Sequence, residues 1–521
     1  MTVAPTETLT TIPDAFNVAD YLVTRQVREG RGDRIAVISE GASLTYSELD
    51  ALVNRAGNAL RSLGLAPEQR AVLLLHDGPA FYACFLGAIK IGAVPIPINT
   101  MLREADYRFI LNDSRATVCI VSEPLAGQIL PSLHLLPCLT HLIVSNGAIA
   151  GIPSLETLLD GASPTLENAD THKDDPAFWL YSSGSTGASK GAIHLQHDIV
   201  LTIEGYARGV LQMTEDDRCL SAAKLFFAYG LGNSLSFPLG LGAQAVVVAG
   251  RSAPETMFEA IGRFHPTIFF AVPTLYAAML QVENATTRFD LSSLRFCVSA
   301  GEALPAEIYR RWRERFGLEI VDGIGSTEML HIFLSNRPGA CRAGTSGVEV
   351  PGYAAKIVDE HGAQLSAGSI GTLMVCGDSA AAGYWKQHEK TKTTFQGEWV
   401  NTGDKYFRDD EGYYHYCGRS DDMLKVGGIW VSPMEVENTV LAHEAVAECA
   451  VVGVTDTDGL TKPKAFVVVR PSVVATDETA RDIQQFVKSR IAPYKYPRWI
   501  EFVAELPKTA TGKLQRFRLR G

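Results

Sequence analysis

The sequence predicts an α/β chain: a large N-terminal domain of parallel-rich sheets covered by helices, a small antiparallel, barrel-like piece, and a small C-terminal α+β domain. Three observations predict it. From about residue 18 to 400, short apolar runs alternate with stretches of helical periodicity, the pattern of parallel strands joined by helical crossovers. After residue 340 the chain turns to short strands separated by turns. The polar, glycine-rich run GRSDDMLKVGG, Gly418–Gly428, then marks a boundary before about one small domain's worth of chain. The predicted division is 1–419 and 420–521.

Each element follows from its own stretch. Leu44–Gly64 places apolar residues at helical spacing behind a serine and a glutamate. AVLLL, Ala71–Leu75, reads as a buried strand, and AFYACFLGAIKIGAV after it as a helix. His141–Ser145, Thr267–Val272 and Leu294–Ala300 are further strands, and Ala177–Leu180 is a strand that ends where a glycine-rich loop begins. GYAAKIVD, GTLMVCG and GYYHYCG supply the antiparallel piece. Beyond the boundary come a helix (Pro433–His443), strands at Glu448–Val454 and Ala465–Val469, a helix (Thr479–Ile491) and a strand (Ile500–Val503). There are no internal repeats or low-complexity tracts.

Composition narrows the function. A 521-residue chain with 46% hydrophobic and 20% charged residues is ordinary for a globular protein. A net charge of −11 argues against a general nucleic-acid or anionic-membrane binder, while leaving room for a local basic site that holds a small anion. The apolar runs are too short to span a bilayer, and the N-terminus lacks the basic and apolar regions of a secretory signal. Nine scattered cysteines, without a C-x-x-C pair, read as reduced thiols in a cytoplasmic protein.

YSSGSTGASKG, Tyr181–Gly191, carries the first chemistry. Residues without bulk let backbone approach a ligand, and runs of N–H groups form nests for anions. The placement expected is the carboxyl end of a strand, where ligands of open α/β sheets sit. It is not a Walker A loop: counted from Gly184, the second glycine falls on Ser189, and Gly191 follows Lys190. A solvated glycine-serine linker is the alternative.

The loop is followed in order by FFAYGLG (Phe226–Gly232), SAGEAL (Ser299–Leu304), VDGIGSTE (Val321–Glu328), NTGD (Asn401–Asp404), GRSDDMLKVGG and PKTATGKLQR (Pro507–Arg516). This series resembles the adenylate-forming superfamily of acyl-CoA synthetases, nonribosomal peptide adenylation domains and luciferases. FFAYGLGN and GIGSTEMLHIFLSNRPG are similar to the benzoate-type aryl-CoA ligases. The resemblance implies the adenylate-forming enzyme fold and a two-step reaction: a carboxylate attacks the α-phosphate of ATP, then coenzyme A displaces AMP. The substrates implied are an aromatic carboxylate, ATP and coenzyme A, with Mg²⁺, and a monomer or homodimer.

By the same resemblance, Ser182, Ser183, Gly184, Ser185, Thr186, Gly187 and Lys190 would hold the β- and γ-phosphates. Thr327 would bond the α-phosphate and Glu328 would hold Mg²⁺, a hard cation suited to carboxylate oxygen. Lys513 would bridge carboxylate and α-phosphate during adenylation. Asp404, assisted by Arg419, would take the ribose hydroxyls. Gly301, Glu302 and Ala303 would wall the adenine, Asp322 would read its amino group, and Gly323, Ile324, Gly325 and Ser326 would complete that edge. Tyr416 packs beside the nucleotide or in the core. Asp421 would be the hinge about which the small domain turns for the second step. Lys425, Gly427, Gly428 and Trp430 would then face the site, with the glycines letting the pantetheine arm pass close to backbone.

The acid pocket is expected from Phe227, Ala228, Tyr229, Gly230, Ala300, Gly325 and His331. Phe227 stands where many relatives carry histidine, which makes the entrance more apolar. Tyr229 would stack on a ring or bond a substituent, and His331 either bonds a substituent or is a satisfied interior histidine. Benzoate, hydroxybenzoates and aminobenzoate are not separated at this level. A stand-alone adenylation domain feeding a carrier protein shares almost every block, and a dead nucleotide-binding protein is the reading from another class. Acetylation of Lys513 would remove its charge and switch the enzyme off.

Overall fold

The computed structural model describes residues 9–184, 187–419, 423–426, 429–456, 461–508 and 514–520. Among them the strands form six sheets. In the largest, Ile35–Ile38, Gln244–Val246, Arg218–Ser221, Ile268–Ala271, Phe296–Ser299 and Ile320–Gly325 run parallel, and Ser43–Thr45, Ile332–Ser335 and Val348–Glu349 add antiparallel edges. A second, four-stranded sheet is wholly parallel, in the order Val94–Pro97, Arg70–Leu74, Val118–Ser122, His141–Ser145. Its strands are buried on both faces, which is why they read as continuous apolar runs rather than alternating ones.

The helices between them are specified locally. Tyr46–Ser62 starts in a capping box: Glu48 N donates to Thr45 Oγ1 at 3.2 Å, and Thr45 N donates to Glu48 Oε2 at 2.8 Å. Its apolar stripe, Leu49, Val53, Ala56 and Leu60, is buried. Pro79 opens Pro79–Lys90 at a position where its missing N–H leaves no bond unmade.

Ala354–Val358, Gly371–Cys376, Trp399–Arg408, Phe395–Gln396 and Tyr414–Arg419 form the expected antiparallel piece, a five-stranded sheet. Further on, Val446–Thr455, Thr461–Val469 and Trp499–Phe502 make a three-stranded sheet packed by the helices Pro433–Leu441 and Asp477–Lys488. This is the architecture the sequence predicts: parallel sheets covered by helices, an antiparallel piece and a small α+β unit.

One expectation needs correcting. The strand before the glycine-rich loop does not end at Leu180 or belong to a parallel sheet. It runs Pro176–Gly184 and pairs antiparallel with Gly187–Leu195, and Gly383–Tyr384 adds a third strand. Small residues that looked like loop are therefore strand: a ladder needs only backbone, which serine and glycine supply as well as valine does.

Candidate active site

Two neighbouring parallel strands, Phe296–Ser299 and Ile320–Gly325, pair Ser299 with Asp322 and release their carboxyl ends side by side. The first end delivers Ala300, buried, and Gly301, whose φ of +90° turns the chain into Glu302 and Ala303. The second delivers Asp322, Gly323, Ile324 and Gly325, then Ser326, whose hydroxyl accepts from Met329 N at 3.3 Å and caps a tight turn over Thr327–Met329. Asp322 is buried, and its Oδ1 has no hydrogen-bond partner among the described residues. Burial pushes its carboxyl up to about 8.

The antiparallel hairpin enters from another side. Ser182 pairs with Lys190, and its Oγ is buried without a partner among the described residues. Lys190 Nζ lies 2.8 Å from Glu328 Oε1 and 2.6 Å from the Tyr384 hydroxyl, which donates to the same Glu328 oxygen at 2.6 Å. The ammonium also sits 4.2 Å from the Tyr384 ring centre. Glu328 is thus not a solvated loop acid. Burial pushes its carboxyl up, but the Lys190 charge and the two hydrogen bonds outweigh it, and the net shift is downward. Register explains the meeting: Tyr384 pairs with Ala192, so Lys190, two residues along the strand, is its diagonal neighbour on the same face.

Asp404 and Arg419 face each other across adjacent strands at 3.1 Å, and Arg419 also donates to Thr402 O at 3.0 Å. Tyr416 is half-buried, with its ring 5.4 Å from that of Tyr406. Leu514 N donates to Glu302 Oε1 at 3.0 Å, which brings the C-terminal segment onto the Gly301–Ala303 wall.

Next to this lies an aromatic cluster. Phe227, Ala228 and Tyr229 are half-buried and Gly230 is buried, where a Cβ would strike the Lys224 carbonyl. The Tyr229 hydroxyl sits 3.2 Å from Val298 O and 3.4 Å from Ala271 O, so it faces backbone rather than a ring substituent. His331 lies 5.7 Å from the Tyr229 ring, 4.5 Å from Phe237 and 5.4 Å from Tyr206. Its Nε2 donates to Asn233 Oδ1 at 3.2 Å; Nδ1 has no partner among the described residues. Burial pushes this imidazole down to about 3, so it is neutral at physiological pH.

Ser185, Thr186, Asp421, Gly427, Gly428 and Lys513 lie outside the described residues. Ser183, Gly184 and Gly187 are placed as strand backbone, and Lys425 pairs with Trp430 in the hairpin Leu424–Val426/Ile429–Val431.

Residues 23–385 match the family described as AMP-binding enzyme, and residues 435–513 match the AMP-binding enzyme C-terminal domain. The chain belongs to the AMP-binding enzyme family. It is 54% identical, over 98% of its length and 96% of the relative's, to the benzoate–CoA ligase of Thauera aromatica. Among solved structures it superposes on the anthranilate CoA ligase AuaEII in complex with anthranoyl-AMP with a TM-score of 0.95, at 44% identity and 98% coverage of both chains. A benzoate CoA ligase from Burkholderia xenovorans LB400 gives 0.90, at 46% identity, covering 97% of this chain and 100% of that one.

In this AMP-binding enzyme, sequence reading missed Tyr384 and His194, both of which touch the Thr327–Glu328 segment. Neither sits in a motif. Tyr384 is set by strand pairing across nearly 200 positions, which no local pattern encodes.

Proposed function

We propose that the chain joins an aromatic carboxylic acid, benzoate first among them, to coenzyme A, with ATP converted to AMP and pyrophosphate. A carboxylate oxygen attacks the α-phosphorus, the bond from that phosphorus to the bridging oxygen of pyrophosphate breaks, and an aryl-adenylate forms. The sulfur of coenzyme A then attacks the acyl carbon, the thiol loses its proton, and AMP departs. The observation that carries this reading is the convergence of Lys190, Tyr384 and Glu328 beside the ends of two parallel strands, in a chain 54% identical to a benzoate–CoA ligase.

Lys190 and Ser182 supply an ammonium and a hydroxyl for the pyrophosphate end of ATP, with Ser183–Gly187 completing the cradle. Thr327 takes the α-phosphate. Asp322 accepts from the adenine amino group, against the wall of Gly301, Glu302 and Ala303, and Asp404 with Arg419 takes the ribose. Glu328 offers one hard oxygen, which fits Mg²⁺, an ion that dehydrates reluctantly and is held largely by phosphate oxygens and water. When bound, that ion offsets phosphate charge. Lys513 steadies the negative charge that builds as carboxylate and phosphate meet.

The acid lies among Phe227, Ala228, Tyr229, Gly230, Ala300, Gly325 and His331. Asp421 is the hinge at the division of 1–419 from 420–521, and Lys425, Gly427, Gly428 and Trp430 form the face that admits coenzyme A. The nine free cysteines fit a cytoplasmic setting. Acetylation of Lys513 would stop the first step.

The test is a pyrophosphate-release screen over benzoate, its hydroxy, amino and fluoro derivatives and aliphatic acids, followed by thiol acceptors. Benzoate should give the highest kcat/KM, and coenzyme A the thioester. An aliphatic acid preferred over every aromatic one, or thioester formed only on a carrier protein, would overturn the assignment.

A further inference from the structure

We propose that His194, held by Asp198, is a positioning residue for the adenylation half-reaction. This rests on the reading of Thr327 and Glu328 as nucleotide-site residues. His194 lies on the strand Gly187–Leu195 four residues beyond Lys190, so both side chains leave the same face. That one face grips the Thr327–Glu328 segment at two points. Lys190 takes the Glu328 carboxylate, and His194 Nε2 lies 2.8 Å from the Thr327 backbone carbonyl.

The hydrogens on this ring follow from its partners. A carbonyl oxygen only accepts, so Nε2 carries a proton and donates. Nδ1 lies 2.7 Å from Asp198 Oδ2, which also accepts from Leu195 N at 3.1 Å. Both side chains are fully buried, and the His194 ring stacks on Phe178 with centroids 5.2 Å apart. His197 stands on the far side of the carboxylate, its Nε2 3.2 Å from Asp198 Oδ1. Burial of a histidine–aspartate pair with its one outward N–H aimed at a single carbonyl is more than packing requires.

The segment it holds needs holding. The Glu328 carbonyl accepts from Ala381 N at 2.8 Å, and the Met329 carbonyl from Ser379 Oγ at 2.8 Å and His331 N at 2.8 Å. That last bond closes a γ-turn at Leu330, whose φ of +66° and ψ of −44° are strained for a residue with a side chain. His194 anchors the upstream end of this strained stretch, on the side where Thr327 and Glu328 meet the nucleotide.

Two substitutions separate the contacts. In His194→Gln the side-chain amide nitrogen can reach the place of Nε2 and keep the donor to Thr327. In His194→Asn it can reach only the place of Nδ1, so the Asp198 contact is kept and the Thr327 donor is lost. With saturating benzoate and ATP, His194→Asn should slow pyrophosphate release about 100-fold, the scale of a small misplacement at a reacting centre, and His194→Gln far less. Thioester formation from supplied benzoyl-adenylate should be unchanged in both. Equal adenylation rates in the two variants, or parallel loss of both half-reactions, would overturn the proposal.

Histidine-labelled ¹⁵N NMR of the unaltered enzyme gives a readout that needs no folded variant. It should show His194 Nε2 protonated, and an unprotonated Nε2 would remove the donor. Glu328→Gln serves as the control for the underlying reading. Full adenylation by that variant would sink the nucleotide-site assignment; loss there together with equal His194 variants would sink only the role of His194.

Discussion

Lys190 and Glu328 sit 2.8 Å apart with 13% and 14% of their side chains exposed, so each compensates the other in a largely dry site. Lys190→Ala should lower adenylation by about 10²–10³, the scale of removing one donor aimed at developing charge. Pyrophosphate release measures it, and a loss below tenfold would take Lys190 out of the phosphate site. Asp322 makes a prediction about pH. Its carboxyl titrates near 8 in the fold against a usual 3.8, so the fold holds a proton that the unfolded chain releases in between. The stabilisation this gives is present below about pH 4 and is lost as pH rises through 8. In nucleotide-free protein, Asp322→Asn should therefore gain thermal midpoint relative to the unaltered chain between pH 5 and pH 9; a constant difference would contradict the buried-acid account. Lys190, Thr327, Glu328 and Asp322 could be picked out in the sequence because each lies in a short run that resembles a motif of the adenylate-forming enzymes, and the structure brings Lys190 and Glu328 together. Tyr384 and His194 could not be picked out, because what they touch is decided by strand register and by the path of a distant turn.

At the scale of elements, the site is a junction of two kinds of strand. The parallel sheet presents carboxyl ends, as apolar alternation with helices foretold. The strand pair Pro176–Gly184 and Gly187–Leu195 was misread as a strand running into a loop, because glycine and serine weaken the side-chain signal while their backbone N–H and C=O still pair. The Phe226–Asn233 run behaves in the opposite way: its motif was visible, but its geometry was not. A Cβ on Gly232 would collide with the His331 ring, which Phe237 and Tyr206 keep from yielding. Overpacking of this kind costs about 1–3 kcal/mol. Gly232→Ala should accordingly lower the thermal midpoint and, by displacing the His331 ring, raise KM for benzoate while KM for ATP stays near its original value. Pyrophosphate-release kinetics in each substrate would show it, and equal rises in both KM values would contradict an effect confined to the proposed acid site.

At the scale of the whole molecule, the proposed function asks one site to serve two chemistries. The bond from Leu514 N to Glu302 holds the C-terminal segment against Gly301–Ala303, the proposed adenine wall; the proposed function gives Lys513 a part in the first step alone. Lys513→Ala should abolish benzoyl-adenylate formation yet leave thioester formation from supplied benzoyl-adenylate largely intact. Equal loss in both half-reactions would make the lysine structural. The order of the motifs suggests this division of labour, which the Lys513 variant tests; the contact of the C-terminal segment with Glu302, some 200 positions away, came only from the structure. On the proposed function, this site makes a mixed anhydride of an aromatic acid and AMP. Mass spectrometry of a quenched reaction containing enzyme, benzoate and Mg-ATP, without coenzyme A, tests it most directly. Benzoyl-AMP and pyrophosphate should appear together, and benzoyl-CoA should replace the adenylate once coenzyme A is added. Benzoyl-CoA forming without any enzyme-bound benzoyl-AMP, or no product from any aromatic acid, would contradict the account.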